Sequence, residues 1–227
     1  MRNNKHSKGN PQLRTMLTRE AARLMYEEDI KQYHDAKRIA AKRLFGRGKK
    51  STVQVRTQDL PTNGEIADEV ATLARFHEGN NVDERLFAMR VTALDIMLDL
   101  KPFSPRLIGS VSTGRVRKGS DIDLHVFVDD QEQLDTHIKD LGWDYEESNI
   151  TIQKDGKLID FTHIYINRQF PIELSIYPQK ELRIRGKSST DGKPIIRLNY
   201  DALLQKIIDD HGITWSEYLA KNNPISN

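Results

Sequence analysis

The sequence predicts an α+β fold: a small mixed β-sheet with helices before it and a short helical C-terminus after it. Three observations carry this. Apolar residues recur every three to four positions over 18–44, 64–78 and 82–100. From residue 105 the period drops to two, and over 201–210 the helical spacing returns. No internal repeat interrupts the progression.

Residues 1–14, polar and basic around Gly9 and Pro11, are expected to lack structure. The first helix, 18–44, aligns Ala22, Tyr26, Ile30, Tyr33, Ala40 and Leu44 behind a Thr18 N-cap. It ends in Lys37, Arg38, Lys42 and Arg43, which suit the negative end of a helix dipole. GRGKKS breaks it, and 46–63 reads as a linker closing at Pro61 and Asn63. Two helices follow: 64–78, with Ile66, Val70 and Leu73 on one face, and 82–100, with Leu86, Met89, Ala93, Ile96, Met97 and Leu100, stopped by Pro102. RLIG and DIDLHVFV read as strands, and 131–140 as a helix. NITIQK-DG-KLIDFTHIYI reads as a hairpin turning at Asp155-Gly156, and FPIELSIYP as one more strand. A helix with Leu203, Leu204, Ile207 and Ile208 on one face closes before Gly212, and a last one starts at Thr214, three residues before Glu217. The chain thus divides into a basic arm and helix, 1–60, and a body, 61–227.

Of 227 residues, 37% are hydrophobic and 30% charged, enough for a core and a wetted surface. Without cysteine there is no disulfide framework, thiolate metal site or thiol nucleophile. No window approaches the ~18 apolar residues of a membrane span. MRNNKHSKGNPQ has no apolar stretch of the kind a secretory signal needs, so a soluble cytoplasmic protein is expected. The net charge of +2 hides +9 over residues 1–50 against −7 over the remainder. A basic arm of this kind suits a polyanion such as RNA, or is simply a solvated helix surface.

The chemistry is concentrated in LIGSVSTGRVRKGSDIDL, residues 107–124. Residues two apart on a strand share a face, so Asp121 and Asp123 project together while Ile122 and Leu124 point the other way. Two adjacent carboxylates repel unless a cation lies between them, and oxygen ligands suit Mg²⁺ or Mn²⁺. Gly109 lets backbone approach a phosphate and Ser110 can donate to it; Arg115, Arg117 and Lys118 supply cations between the two elements.

This segment resembles the signature of the DNA polymerase β-like nucleotidyltransferase superfamily, an apolar-Gly-Ser element followed about ten residues later by Asp-apolar-Asp. The resemblance implies a three-carboxylate, two-metal site that transfers a nucleoside monophosphate from a nucleoside triphosphate such as ATP. It implies metal binding and catalysis by Asp121 and Asp123, and triphosphate binding by Gly109 and Ser110, with Lys118 and Ser120 beside them. The third carboxylate is expected on a later strand. Glu173 in PIELSI fits better than Asp160 in LIDFT, because Ile172, Leu174 and Ile176 alternate with it. His125 follows the face of Asp121 and Asp123, His163 is a candidate neighbour of Glu173, and Tyr177 a candidate base-stacking residue. The acceptor is RNA, a protein or a small molecule. Rival readings are pyrophosphate transfer to a nucleotide, as in the alarmone-synthetase branch, and a silent module that binds RNA or protein.

Overall fold

The computed structural model describes residues 9–46, 53–154, 157–184, 186–188 and 192–222, with backbone alone over 150–154 and 157–161. The chain forms two compact units, Met1–Asn80 with Ser188–Lys193, and Asn81–Lys187 with Pro194–Asn227.

The first unit holds α1 (Pro11–Glu27), α2 (Tyr33–Phe45) and α3 (Asn63–Glu78). Where one helix is expected over 18–44, there are two. Asn10 caps α1, its side chain accepting the N–H groups of Gln12 and Leu13, and Pro11 supplies a pre-set φ, so the helix starts well before Thr18. Thr18 instead donates to the carbonyl of Arg14 at 2.8 Å inside the helix. Asp29, at φ 53°, takes the chain out of helical geometry between α1 and α2. Of the segment expected to lack structure, residues 11–14 are helical and 1–8 lie outside the described residues.

Leu17, Ala21, Leu24, Met25, Ala40, Ile66 and Val70 make the core of this unit. Thr62 and Glu65 cap α3 reciprocally. Within the expected linker, Asp59 is only 4% exposed and accepts the N–H groups of Asn10 and Arg56 at 2.6 and 2.9 Å. These two donors hold its carboxyl below the usual range. The basic run is partly neutralised: Arg38 bonds Asp35 at 3.0 Å, and Arg43 bonds both oxygens of Glu28 at 2.6 and 2.8 Å.

In the second unit, α4 (Asn81–Asp99) leads into β1 (Arg106–Leu107), α5 (Gly109–Thr113), β2 (Ile122–Phe127) and α6 (Gln131–Asp140). Next come β3 (Tyr145–Lys154), β4 (Lys157–Asn167), β5 (Pro171–Tyr177) and α7 (Tyr200–Asn222). The strand order is β1-β2-β5-β4-β3; β2 and β5 are parallel and every other pair antiparallel, so the α+β, mixed-sheet prediction holds. One sheet face buries Ile122, Leu124, Val126, Ile164, Ile166, Ile172 and Leu174. The alternate positions of the same strands form the polar face that carries the site.

The predicted turn at Asp155-Gly156 lies outside the described residues; β3 and β4 pair on either side of it. The two expected C-terminal helices are joined directly across a kink at His211 (φ −135°, ψ 30°), so Thr214 continues α7 rather than starting a helix. Arg90 of α4 is 1% exposed. Its guanidinium bonds Asp210 at 2.7 Å and His211 Nε2 at 3.1 Å in α7, and the carbonyl of Val111 in α5 at 3.3 Å. Among the described residues no helix is long and apolar enough to cross a membrane.

Candidate active site

β1 delivers the chain to the site. After Leu107 the Ile108 N–H donates to the Asp123 carbonyl at 3.0 Å, and the backbone turns into α5 at Gly109, φ 69°. A Cβ at Gly109 would overlap the Asp123 carboxylate, so this position requires glycine for its backbone conformation and for the close approach. Ser112 and Thr113 donate to the Gly109 carbonyl at 2.9 and 3.1 Å and brace the turn. The Ser110 Oγ is buried with no hydrogen-bond partner among the described residues. A buried hydroxyl left unmatched at a site is costly, and an incoming acceptor atom would relieve it.

The loop after α5 returns through Gly114 and Gly119, both at positive φ, to the start of β2. Ser120 closes this return: its Oγ accepts the Arg117 N–H at 3.0 Å, and its own N–H donates to the Arg117 carbonyl at 3.0 Å. Lys118 is exposed beside it.

Asp121 sits just ahead of β2, Asp123 lies within it, and Glu173 stands opposite Asp123 on the parallel strand β5. Each offers a carboxylate oxygen, and the three oxygens lie within 4.8 Å of one another. Burial, and then the charges of Asp121 and Glu173, push the Asp123 carboxyl up to about 8. The donor set is all oxygen and anionic, which fits hard divalent cations such as Mg²⁺ or Mn²⁺.

His163 of β4 bonds Glu173 Oε1 through Nδ1 at 2.6 Å, which fixes the third carboxylate against the sheet. Asp160, the alternative third acid, pairs with Thr151 of β3; the pairing of β4 with β5 runs from His163 to Asn167 and does not reach it.

His125, two residues along β2 from Asp123, is on the polar face but is committed elsewhere. It is 3% exposed, and its Nδ1 accepts Arg197 Nε at 3.1 Å. Burial first, then Arg197 and His163, push its pKa down to about 3, so the ring is neutral. Its centroid lies 4.6 Å from that of Tyr177. Sequence reading missed Arg197, because it sits in a stretch between β5 and α7 with no periodicity and reaches β2 only through tertiary folding.

Residues 93–190 match the family described as nucleotidyltransferase domain, and the resemblance read from residues 107–124 is thereby shown. No curated protein matches the chain. Among solved structures, similarity extends to a cytoplasmic RNA terminal U-transferase, with 21% identity and a TM-score of 0.32, over 50% of this chain and 34% of that one. It extends also to Cid1 in complex with the UTP analog UMPNPP, with 19% identity and a TM-score of 0.29, over 48% of this chain and 36% of that one. A third is the GLD-2/RNP-8 complex, at 16% and 0.28, over 44% of this chain and 43% of that one. The chain spans about a third of the length of the first two.

Proposed function

We propose that this nucleotidyltransferase domain transfers a nucleoside monophosphate from a nucleoside triphosphate to an acceptor hydroxyl, with Asp121, Asp123 and Glu173 holding divalent cations. The observation that carries the reading is the convergence of these three carboxylates within 4.8 Å, together with a buried serine hydroxyl that has no partner among the described residues. In the transfer the acceptor oxygen bonds to the α-phosphorus, the α–β bridging bond breaks, and pyrophosphate leaves. Divalent ions at such a site neutralise charge on the phosphate oxygens and lower the pKa of the acceptor hydroxyl.

The side chains supply the rest. Ser110 donates its Oγ–H to the triphosphate tail, and Gly109 keeps backbone close enough for that contact. Lys118 adds positive charge at the mouth of the loop, and Ser120 holds the turn that presents it. His163 keeps the Glu173 carboxylate in one orientation, so that its second oxygen remains available to a cation.

The test is transfer of label from α-³²P-labelled nucleoside triphosphates, with Mg²⁺ or Mn²⁺ and cell extract supplying acceptors. Label entering RNA, protein or a small molecule supports the reading and names the acceptor class. Movement of the β- and γ-phosphates onto a nucleotide, with no α-label transferred, would establish pyrophosphoryl transfer instead and overturn it.

A further inference from the structure

A second charged site lies on the same polar face as the acids. Arg106 of β1 stands opposite His125 of β2 in the antiparallel pair, so it shares a face with Asp123, about 6.6 Å farther along the strand. Arg106, Arg183 and Arg197 line one cavity of about 610 Å³, with Leu182, Ile195 and Ile196 contributing an apolar wall. The volume is that of a small-molecule site.

Two features point to an anion. First, like charges are held together there: burial, and then the charge of Arg197, lower the pKa of Arg106, so the cluster is assembled against repulsion. Among the described residues no carboxylate lines the cavity to offset it. Second, Arg197 is aimed rather than loose. Its Nε donates to His125, and its Nη1 donates to the carbonyls of Glu181 and Ile184 at 3.2 and 2.7 Å. Arg106 is anchored likewise, Nη1 donating to the carbonyls of Ser104 and Pro105 at 3.1 and 2.8 Å. These bonds use Nε and Nη1 of Arg197 and Nη1 of Arg106, and leave Nη2 of both outside any hydrogen bond among the described residues. Planar guanidinium groups fixed in this way match the oxygens of a phosphate. The half-exposed Ile196 beside them offers a surface for something flat and apolar on the same ligand.

We infer that the cavity of Arg106, Arg183 and Arg197 binds the phosphate of a nucleotide or oligonucleotide acceptor and sets that acceptor's hydroxyl toward Asp121, Asp123 and Glu173. This rests on the transfer reaction proposed above. It adds that the acceptor carries phosphate and that its recognition is separate from that of the triphosphate.

The test is calorimetric titration of the whole chain in EDTA at low salt with AMP, adenosine and the trinucleotide ApApA. Wild-type protein is expected to bind AMP and not adenosine. Arg183→Gln and Arg106→Gln should each weaken AMP binding about tenfold, the worth of one charged hydrogen bond. Arg183 is exposed, so its variant tests the site with little cost to the fold. Tighter binding of ApApA than of AMP assigns an oligonucleotide end as the source of the phosphate; equal binding assigns a mononucleotide. Asp121→Asn with Asp123→Asn should leave AMP binding in place. Equal binding of adenosine and AMP, or AMP affinity unchanged in both arginine variants, would overturn the inference. Failure of the transfer reaction itself would register separately, as a wild-type melting temperature that Mn²⁺ with a nonhydrolysable nucleoside triphosphate does not raise.

Discussion

The two ends of the polar sheet face are opposites built on one strand. At one end Asp121, Asp123 and Glu173 crowd negative charge; two residues along β2, His125 is surrounded by positive charge from Arg197, with Arg106 opposite it. Burial acts on both and shifts them in contrary directions. It favours the protonated acid at Asp123 and the unprotonated base at His125, so each group is pushed toward its neutral form. The difference lies in what can relieve them. The acids can be relieved by a cation, whereas His125 is already satisfied by the Arg197 N–H and needs no ligand. The acidic end is therefore unfinished without a partner, and the histidine beside it is structural.

The sharpest break of this contrast is removal of the acids. Asp121→Asn with Asp123→Asn should lower transfer at least about 10²–10³-fold, the range for losing preorganised charge at a reacting centre, with circular dichroism unchanged. The melting-temperature rise given by Mg²⁺ and nucleotide should vanish with it. A retained rise would remove these two residues from the metal site.

His163 should matter next. His163→Ala should lower kcat about 10–100-fold, as losses of a carboxylate's orienting partner do, while triphosphate binding is kept. His163→Gln should recover part of that rate, because its amide can still donate to Glu173. A variant whose defect lies wholly in KM would show that His163 contacts substrate instead.

Stability against pH separates the two ends without any assay of activity. The folded pKa of Asp123 lies above its unfolded value, so its contribution declines as pH rises from about 4 to 8. The folded pKa of His125 lies below its unfolded value, so its contribution declines as pH falls from 6.5 to about 3. Between about pH 4 and 6.5 the two slopes oppose each other. In EDTA, denaturant unfolding should therefore show a loss of up to about 2 kcal/mol between pH 6.5 and 8. Asp123→Asn should abolish that loss, and millimolar Mg²⁺ should reduce it. A slope unchanged by the variant would assign the loss to another group.

The smallest effect is expected at Arg197. Arg197→Gln removes the second-largest contribution to the low pKa of His125 and leaves the largest, burial. The His125 titration followed by NMR should rise but stay below 6.5. A value above 6.5 would show that the arginine, not burial, keeps this ring neutral.

The acidic end was readable in the sequence because local spacing encodes it. Gly109-Ser110 and Asp121-Ile122-Asp123 lie within one short segment, and Glu173 stands out by alternation with Ile172 and Leu174. The arginine end was not. Arg106, Arg183 and Arg197 come from three separate stretches, and their meeting depends on how the segment after β5 returns to β1. Helix periods located α3, α4 and α6 within a residue or two of their ends. They ran α1 and α2 together because the break at Asp29 is a single positive φ among helix-compatible residues. Asp59 and Arg90 were invisible for the same reason as Arg197: a buried polar residue declares itself by partners distant in sequence, 49 positions away for Asp59 and 120 for Arg90.

Arg90 gives the fold an order of assembly. A guanidinium taken out of water without a counter-ion costs several kcal/mol, so the packing of α4 and α5 around it is expected to be completed only with Asp210 in place. Asp210 follows Arg90 by 120 residues, a long-range closure of the kind that comes late in folding. On the ribosome, chains emerge at ~5–20 residues per second, so the segment from Gly109 to Gly114 waits many seconds for the partner that fixes its neighbour. Throughout that interval the nascent chain carries the sequence of the acidic cluster without the α7 contact that ties Arg90, and through it α5, in place.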